Sequence, residues 1–357
     1  MLQIFSLMKY HNFKKNLLAF CFGLTLILLL LELVFTFIFP ASNTPELVYD
    51  DTNHLLKFKP GNQGVSTIGA WAEQPYHWQI NQAGWNSTVE YDTTDRRPLI
   101  AIIGDSYIQA VGADIEKSYP SLLRNQIGAK YRMYQFGVSG SPMSQYLNVS
   151  RYVQKTYHPQ IMIFNIVHND FLETLKPFTS LGKGFMCLDS TTFKEEYLSP
   201  KHFSTPIELS RKSHLIRYLM RNLSLGTLLG IEYNVVKKTS FDQPLKNKIS
   251  QAVDTVLTRI QRENTITKLV FVMDTPRPEI ETNEFENSPF WWTHELMKVK
   301  TESKKMLLLD LTDAFKADFK KNKVSFQTKI DNHWNNYGHQ KVFDALYPFL
   351  VKEKVIE

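Results

Sequence analysis

The residues of this chain with the clearest chemical potential are one serine after an apolar run and a histidine near the C-terminus. Ser106 lies in Gly104-Asp105-Ser106-Tyr107, whereas Asp331 and His333 come more than two hundred residues later. A serine hydroxyl is a weak nucleophile at neutral pH, so it needs an imidazole to accept its proton and a carboxylate to orient that imidazole. Ser106, Asp331 and His333 therefore predict a split serine-hydrolase triad.

The part of the chain that must position these residues alternates short apolar runs with stretches of helical periodicity. This order predicts a three-layer α/β/α sandwich with a mostly parallel central sheet, of the flavodoxin-like kind. Ligands of such sheets bind beyond the carboxyl ends of the strands, and Ser106 follows the first strand. The predicted strands are 98–104, 132–136, 160–167, 268–274 and 305–310, and the predicted helices are 117–128, 143–157, 244–264, 288–303 and 335–352.

The chain is predicted to have four consecutive parts. Residues 1–16 form a short N-terminus, 17–39 an apolar helix, 40–95 an approach segment that packs partly on the domain, and 96–352 the α/β domain. The approach segment has one predicted short strand, at 76–81.

An insertion over about 171–243 interrupts the α/β alternation and shows no obvious strand. Within it, apolar residues at helical spacing with a basic flank predict an amphipathic helix that packs on the domain, caps the active site or lies on a membrane. The apolar residues are Leu215, Ile216, Leu219 and Leu223, and the basic ones are Arg211, His214, Arg217 and Arg221.

The apolar segment 17–39 is long enough, at 1.5 Å per residue, to cross a bilayer core of roughly 30 Å. Lys9, Lys14 and Lys15 precede it, so the positive-inside rule predicts a cytoplasmic N-terminus and an extracytoplasmic domain, periplasmic or extracellular. The alternative is a cleaved signal peptide, although its apolar region is usually shorter and no A-x-A site follows here. The sequence favours an uncleaved single-pass anchor in the cytoplasmic membrane.

Glu32 is a carboxylate inside this apolar segment. It lies near Pro40 and the expected outer interface, where it could be protonated or reach water. The alternative is a contact with a partner helix, because ionisable residues within a membrane usually have a function.

Composition limits the classes of partner and cofactor. The formal charge is +6, but the basic residues are interleaved with acidic ones, so no nucleic-acid partner is expected. The two cysteines, Cys21 and Cys187, lie on either side of the predicted membrane boundary. They therefore allow neither a disulfide within the outer domain nor a cysteine-rich zinc site.

Four separated blocks coincide with the predicted strand ends. In this order they resemble the SGNH or GDSL hydrolase superfamily, which contains lipase-like esterases, carbohydrate esterases and related acyltransferases. The resemblance spans about residues 96–352. The blocks are Gly104-Asp105-Ser106, Gly137-Val138-Ser139-Gly140, Asn169-Asp170 and Asp331-Asn332-His333-Trp334-Asn335.

The resemblance implies a role for each matching residue. Ser106 corresponds to the nucleophile, and Asp331 and His333 to the rest of the triad. The backbone N–H groups of Ser106 and Gly140 and the amide of Asn169 correspond to the oxyanion hole, where each donor is worth about 3 kcal/mol. Two alternatives stay open, since Gly140 could only shape a turn and Asn169 could only cap a loop.

The chain departs from the family pattern at two places. Val167 stands where many members have glycine before the Asn-Asp pair, so the backbone around Asn169 is expected to differ. Asp331 precedes His333 by two residues rather than the commoner three, and Trp334 follows. This D-x-H-W pattern resembles the exopolysaccharide O-acetylation branch, which directs the expected substrate towards sugars.

Other residues near these blocks offer competing roles. His339 could replace His333 as the base, and Asp105, Asp331, His333 and His339 could in principle bind a metal. No metal or other cofactor is expected, because the tight helical pairs of zinc hydrolases are missing from the sequence. The aromatic residues Phe290, Trp291, Trp292 and Trp334 either pack in the core or stack on sugar rings.

The sequence therefore favours a membrane-anchored SGNH-type serine esterase that removes acyl groups, expected to be O-acetyl, from an acylated carbohydrate through an acyl-enzyme. One alternative is an O-acetyltransferase modifying an extracellular polysaccharide, with a multi-spanning acyltransferase partner supplying the acyl group. Another is a catalytically silent glycan-binding or assembly protein that keeps the fold.

Overall fold

The computed structural model of the protein contains two compact units. The first comprises Met1–Asn43, Val65–Pro75 and Phe203–Val235, and the second comprises the remaining segments Thr44–Gly64, Tyr76–His202 and Val236–Glu357. The structure describes residues 2–179, 183–200, 212–223, 225, 241–285, 288–328 and 332–357.

A five-stranded parallel sheet lies at the centre of the second unit. Its strands are β5 (Leu99–Gly104), β6 (Arg132–Gly137), β7 (Ile161–Ile166), β10 (Lys268–Met273) and β11 (Leu307–Asp310). Their order across the sheet is β11-β10-β7-β5-β6. Strand β5 pairs with β6 on one side and β7 on the other, and Gly104 lies opposite Gly137. The chain segments that follow these three strands therefore leave the same edge of the sheet.

The sheet has this form because its central strands β5 and β7 are buried on both faces and almost entirely apolar. The edge strand β6 is buried as well. Along β5, Leu99, Ala101 and Ile103 enter one hydrophobic core, and Ile100 and Ile102 enter the other. A strand without a polar face requires helices on both sides, which is the reason for three layers.

Two helical layers cover the sheet. Helices α3 (Met143–Tyr157), α6 (Gln243–Glu263) and α8 (Trp291–Ser303) contribute to the first core. Helices α2 (Tyr119–Ile127), α9 (Thr312–Asn322) and α10 (Asn336–Lys352) contribute to the second. Short helices α4 (His168–Glu173) and α7 (Arg277–Thr282) follow β7 and β10 along the chain. The predicted three-layer α/β fold is confirmed.

Each predicted strand of the central sheet is present within two residues of its expected limits. The expected helix at 117–128 is shorter, because a 3₁₀ turn at Ile115–Lys117 comes before α2. Helices α4, α7 and α9 were not predicted.

Short antiparallel pairs precede the sheet and interrupt it. They are β1 (Leu47–Asp50) with β2 (Leu55–Phe58), β3 (Gln63–Ile68) with β4 (Glu73–Gln79), and β8 (Met186–Leu188) with β9 (Glu195–Tyr197). Leu55 and Phe58 of β2 are buried in the first core.

The expectation that the insertion has no strand was wrong, because β8 and β9 lie within it. Ion pairs rather than alternating apolar residues hold β9 in place. Arg151 contacts Glu195 at 2.7 Å and Glu263 at 2.6 Å, and Arg259 also contacts Glu195 at 2.7 Å. Such distant partners leave no local pattern in the sequence.

The first unit contains α1 (Leu2–Phe37), which begins well before the expected residue 17. Its segment Phe13–Phe37 has a mean hydropathy of 2.7, is not buried, and is long and apolar enough to cross a membrane. Within the described part of the insertion, α5 (His214–Arg217) continues into a wider π-helical turn at Tyr218–Asn222. Arg211 of the expected amphipathic helix lies outside the described residues.

We expect Gly137→Ala to destabilise the second unit by about 1–3 kcal/mol, because an added methyl group would overpack a closely fitted backbone. A Cβ at this position would lie 2.8 Å from the carbonyl oxygen of Asp105 and closer still to the backbone of Gln109. Thermal unfolding of the purified protein checks this, with the exposed substitution Lys130→Ala as control. Equal melting temperatures for the two variants would contradict the close fit.

Candidate active site

The centre of the candidate site is a hydrogen bond between two residues that are distant in sequence. The Nε2 atom of His333 lies 2.7 Å from the Oγ atom of Ser106. Ser106 is only 5% exposed and follows β5 at the carboxyl edge of the sheet. This distance is within the range in which an imidazole can take a hydroxyl proton.

Asp105 fixes the turn that carries Ser106. One carboxylate oxygen accepts the backbone N–H of Tyr107 at 3.0 Å, and the other accepts the Ser106 hydroxyl at 3.2 Å. Burial raises the pKa of Asp105, while the N–H of Tyr107 and the nearby His333 act in the opposite direction. The Ser106 hydroxyl has one proton, so Asp105 and His333 compete for it, and the shorter distance is to His333.

Tyr107 connects the serine turn to the histidine loop. Its hydroxyl donates to the carbonyl oxygen of Asn332 at 2.9 Å. Its ring packs against His333 and Trp334, with centroid distances of 5.1 and 4.6 Å. Tyr107 therefore contacts three consecutive residues of the histidine loop, Asn332, His333 and Trp334.

A buried ion pair between Asp274 and Arg277, which the sequence did not predict, also contacts the loop that carries His333. The Arg277 guanidinium donates to Asp274, to the carbonyl oxygen of Asn332, and to the Tyr107 hydroxyl at 2.6 Å. Asp274 also accepts the indole N–H of Trp334 at 3.0 Å. Burial alone would lower the pKa of Arg277, but Asp274 and Tyr107 raise it above its ordinary value.

One signal in the sequence could have pointed to this pair. Asp274 is the last residue of the predicted strand 268–274, and Arg277 comes three residues later, at the edge of the sheet where ligands bind. Charged residues at that position are candidates for a role in the site.

Asp331, the expected carboxylate of the triad, lies outside the described residues. The neighbouring loop is held by backbone hydrogen bonds, since Thr328 N–H donates to His333 O at 3.1 Å and Asn335 N–H donates to Phe326 O at 3.0 Å.

His339, the competing base, is fully buried in α10. Its Nδ1 atom accepts the backbone N–H of Tyr119 at 3.3 Å, and its ring packs against Trp334 at 5.4 Å. Burial lowers the pKa of His339 to about 3. The imidazole hydrogen-bonded to Ser106 is that of His333.

Gly140 and Asn169, the other expected oxyanion donors, follow β6 and β7, the two neighbours of β5. Gly140 has a φ of 74°, a left-handed conformation that favours glycine. The Gly140 loop is tied to the Ser106 turn, because Ser139 N–H donates to the side chain of Gln109 at 2.8 Å. All three expected donors therefore occupy adjacent strand ends.

The amide of Asn169 is oriented by a carboxylate one helical turn away. Its Nδ2 atom donates to Glu173 at 3.1 Å, which leaves the second amide hydrogen for another acceptor. Burial raises the pKa of Glu173 to about 7, although the hydrogen bond from Asn169 lowers it. Asp170 caps the start of α4 by accepting the Val167 N–H at 2.8 Å. The local backbone is thus organised without the glycine that many family members have at 167.

His168, the residue before Asn169, forms a pair with His294. The Nε2 atoms of His168 and His294 are 3.3 Å apart, and His294 contacts Asp310 at 2.7 Å. Burial and the proximity of His294 hold the pKa of His168 well below its usual range. The geometry allows one chain of hydrogen bonds, in which His168 donates to His294 and His294 donates to Asp310.

The aromatic residues have different surroundings. Trp334 is fully buried, as expected for the core alternative, whereas Trp291 is 39% exposed and stacks on His294. Phe290 packs against His168 at 5.2 Å. Among the described residues, no group of three or more His, Cys, Asp or Glu side chains is arranged to hold a metal ion.

We expect the protein to lose stability in acid because His339 stays neutral in the folded state. Its folded pKa of about 3 is below the ordinary 6.5, so the unfolded chain binds a proton first as the pH falls. The contribution of neutral His339 to the free energy of unfolding is complete above about pH 6.5 and decreases by about 2 kcal/mol between pH 6.5 and 5. Chemical unfolding across this range checks it. His339→Gln should show a flatter pH dependence, and an equally steep curve would contradict the argument.

The sequence model of the family described as GDSL-like Lipase/Acylhydrolase matches residues 100–346. No curated protein matches the chain in sequence. Several solved structures match the chain at low sequence identity.

An acetyl xylan esterase, AlAXEase, is 14% identical, with 71% of this chain and 99% of that chain covered and a TM-score of 0.40. A family two carbohydrate esterase from Clostridium thermocellum is 11% identical, with coverage of 72% and 64% and a TM-score of 0.40. LAE5, an alpha/beta hydrolase enzyme from the metagenome of Lake Arreo, Spain, is 17% identical, with coverage of 71% and 94% and a TM-score of 0.41.

The family match extends over most of the chain and includes both partners of the Ser106–His333 hydrogen bond. This protein belongs to the GDSL-like lipase/acylhydrolase family and is an ester-hydrolysing serine hydrolase.

Proposed function

We propose that this protein is a membrane-anchored esterase whose domain lies outside the cytoplasmic membrane and removes O-acetyl groups from a glycan. The observation that carries the catalytic part is the 2.7 Å contact between Ser106 Oγ and His333 Nε2. Ser106 is the nucleophile, His333 the base, and Asp331 the residue that orients the imidazole.

In the first half of the reaction, His333 takes the Ser106 proton while the Ser106 oxygen attacks the ester carbonyl carbon. The carbonyl oxygen becomes negative, and the N–H groups of Ser106 and Gly140 and the amide of Asn169 stabilise it. When the carbonyl re-forms, the bond to the sugar oxygen breaks and His333 donates its proton to that oxygen. The products are a free sugar hydroxyl and an acylated Ser106.

In the second half, His333 takes a proton from water, and the hydroxide oxygen attacks the acyl carbon. The bond to Ser106 then breaks, and the proton returns from His333 to the Ser106 oxygen. A sugar hydroxyl in place of water would give the O-acetyltransferase reaction with the same residues. Only the second acceptor distinguishes the two reactions.

Arg277 is a positioning residue in this proposal. It donates to the carbonyl oxygen of Asn332, directly before His333, and to the hydroxyl of Tyr107, directly after Ser106. Its partner Asp274 holds Trp334 directly after His333. The ion pair therefore limits movement of the imidazole relative to the serine, on which proton transfer depends.

Two features support the location and the substrate. The unburied apolar segment Phe13–Phe37 supports an anchor, and the lysines before it support an outward-facing domain. The pattern of Asp331, His333 and Trp334 supports a carbohydrate ester, since it resembles the polysaccharide O-acetylation branch.

We expect Ser106→Ala to abolish labelling by a fluorophosphonate probe and to reduce hydrolysis of a small acetyl ester by about 10⁴-fold or more. His333→Ala should reduce hydrolysis to a similar extent, because the triad acts as a unit. The control is Ser303→Ala, an exposed serine of α8. Failure of the folded wild type to react with the probe or the ester would favour the silent scaffold.

We expect Arg277→Met to reduce kcat about 10–100-fold with little change in KM, and to reduce stability by about 3 kcal/mol because Asp274 stays buried without its partner. The double variant D274N/R277M removes both charges, so it should regain stability while kcat remains low. The control is Arg262→Met, which removes an exposed arginine. Recovery of kcat together with stability would mean that Arg277 acts only through folding.

We expect water to be the preferred second acceptor. The full-length protein, given an acetyl ester with and without an added oligosaccharide, should release acetate at the same rate and form no acetylated sugar. The Ser106→Ala variant controls for uncatalysed transfer. Acetylated oligosaccharide that forms only with the wild type would replace the esterase proposal with the transferase.

A further inference from the structure

Glu32 lies inside the apolar span of α1, and its carboxylate binds the start of the insertion helix. It accepts the Ser213 hydroxyl at 2.8 Å, the His214 N–H at 2.6 Å and the Leu215 N–H at 2.9 Å. The His214 ring also contacts it at 3.0 Å. The first N–H groups of a helix have no partner within the helix, so Glu32 caps α5 from another part of the chain.

Further contacts fix the direction of the insertion helix beside α1. Tyr218 stacks on Phe35 with ring centroids 3.9 Å apart. At the end of the π-helical turn, Asn222 accepts the Ser42 N–H at 2.9 Å and donates to Thr67 at 2.9 Å. Residues 213, 218 and 222 thus lie beside residues 32, 35 and 42, and the two segments run in the same direction.

The position of Glu32 sets the depth of this contact in a bilayer. It is five residues before Phe37, the last residue of α1, which corresponds to about 7.5 Å along a helix. If α1 spans the membrane, Ser213, His214 and Leu215 lie below the outer end of the apolar span. Backbone N–H groups at that depth need partners within the protein, and Glu32 provides them.

Apolar side chains of the same unit remain exposed near these contacts. Ile216 and Leu223 are each 42% exposed, although Tyr218 and Asn222 between them are buried. Trp71 is 71% exposed and packs beside Phe39, just beyond the end of α1. Tryptophan is typical of the membrane–water interface. Ile216, close to the Glu32 contact, would face lipid acyl chains, and Leu223, close to Ser42, would lie near the interface.

We infer that residues 213–223 form a second membrane-contacting element, which enters the outer leaflet beside the anchor and presents Ile216 to lipid acyl chains and Leu223 to the headgroup region. This inference rests on the membrane anchoring proposed above, but not on the esterase chemistry. It also distinguishes an anchor from a cleaved leader, because cleavage after α1 would remove Glu32 and leave the start of α5 uncapped.

The experiment uses the full-length protein in phosphatidylcholine nanodiscs. The parent variant is Cys21→Ala, and the remaining Cys187 is buried. Single cysteines at Ile216→Cys and Leu223→Cys are labelled with an environment-sensitive fluorophore and tested with spin-labelled lipids. The matched control is Ile266→Cys, an isoleucine of the second unit that is 87% exposed.

We expect quenching at 216 and 223 to exceed that at 266 at least twofold, with the strongest quenching by lipids labelled near the headgroup. Glu32→Ala should reduce quenching at 216 at least twofold, whereas Glu32→Gln, which keeps an acceptor oxygen, should retain more of it. Quenching at 216 and 223 equal to that at 266 would overturn the inference, as would quenching that Glu32→Ala leaves unchanged.

Two measurements on the same samples separate this inference from the proposed function. Resistance to carbonate extraction reports on the anchor, and acetyl-ester hydrolysis reports on the active site. An anchored, active protein whose labels at 216 and 223 remain in water contradicts the second membrane element alone. Extraction by carbonate contradicts the anchor, and with it the inference, without affecting the esterase proposal.

Discussion

The buried ion pair of Asp274 and Arg277 is the constraint on which the geometry of the site depends. Two charges in the core are costly unless they are paired and their remaining hydrogen-bonding groups are satisfied. Arg277 meets part of that requirement by donating to Asn332 and Tyr107, and Asp274 by accepting from Trp334. The electrostatic demands of the core thereby fix the loop that carries His333 against the turn that carries Ser106.

The parallel sheet provides the other half of this arrangement. Strand β5 lies between β6 and β7, so the segments carrying Ser106, Gly140 and Asn169 leave adjacent strands at one edge. His333 comes from the segment before α10 and closes the site from a different part of the chain. The fold thus brings together residues more than two hundred positions apart in the sequence.

The strands and several site residues could be predicted because short stretches of sequence encode them. Continuous apolar runs indicated the strands. The short motifs that follow those runs contain Ser106 and Asn169 and indicated the family. Asp274 and Arg277 could not be predicted as a unit, since their partners are supplied by folding. Strand β9 was missed for the same reason, because Arg151 is its main support. Glu32 had two open interpretations, and its partner proved to be a helix of the same chain.

The position of Tyr107 has a consequence for which substitutions the serine turn can tolerate. Its ring and hydroxyl are committed to His333, Trp334 and Asn332. A change at this one residue would therefore disturb both halves of the site at once, the turn that carries the nucleophile and the loop that carries the base.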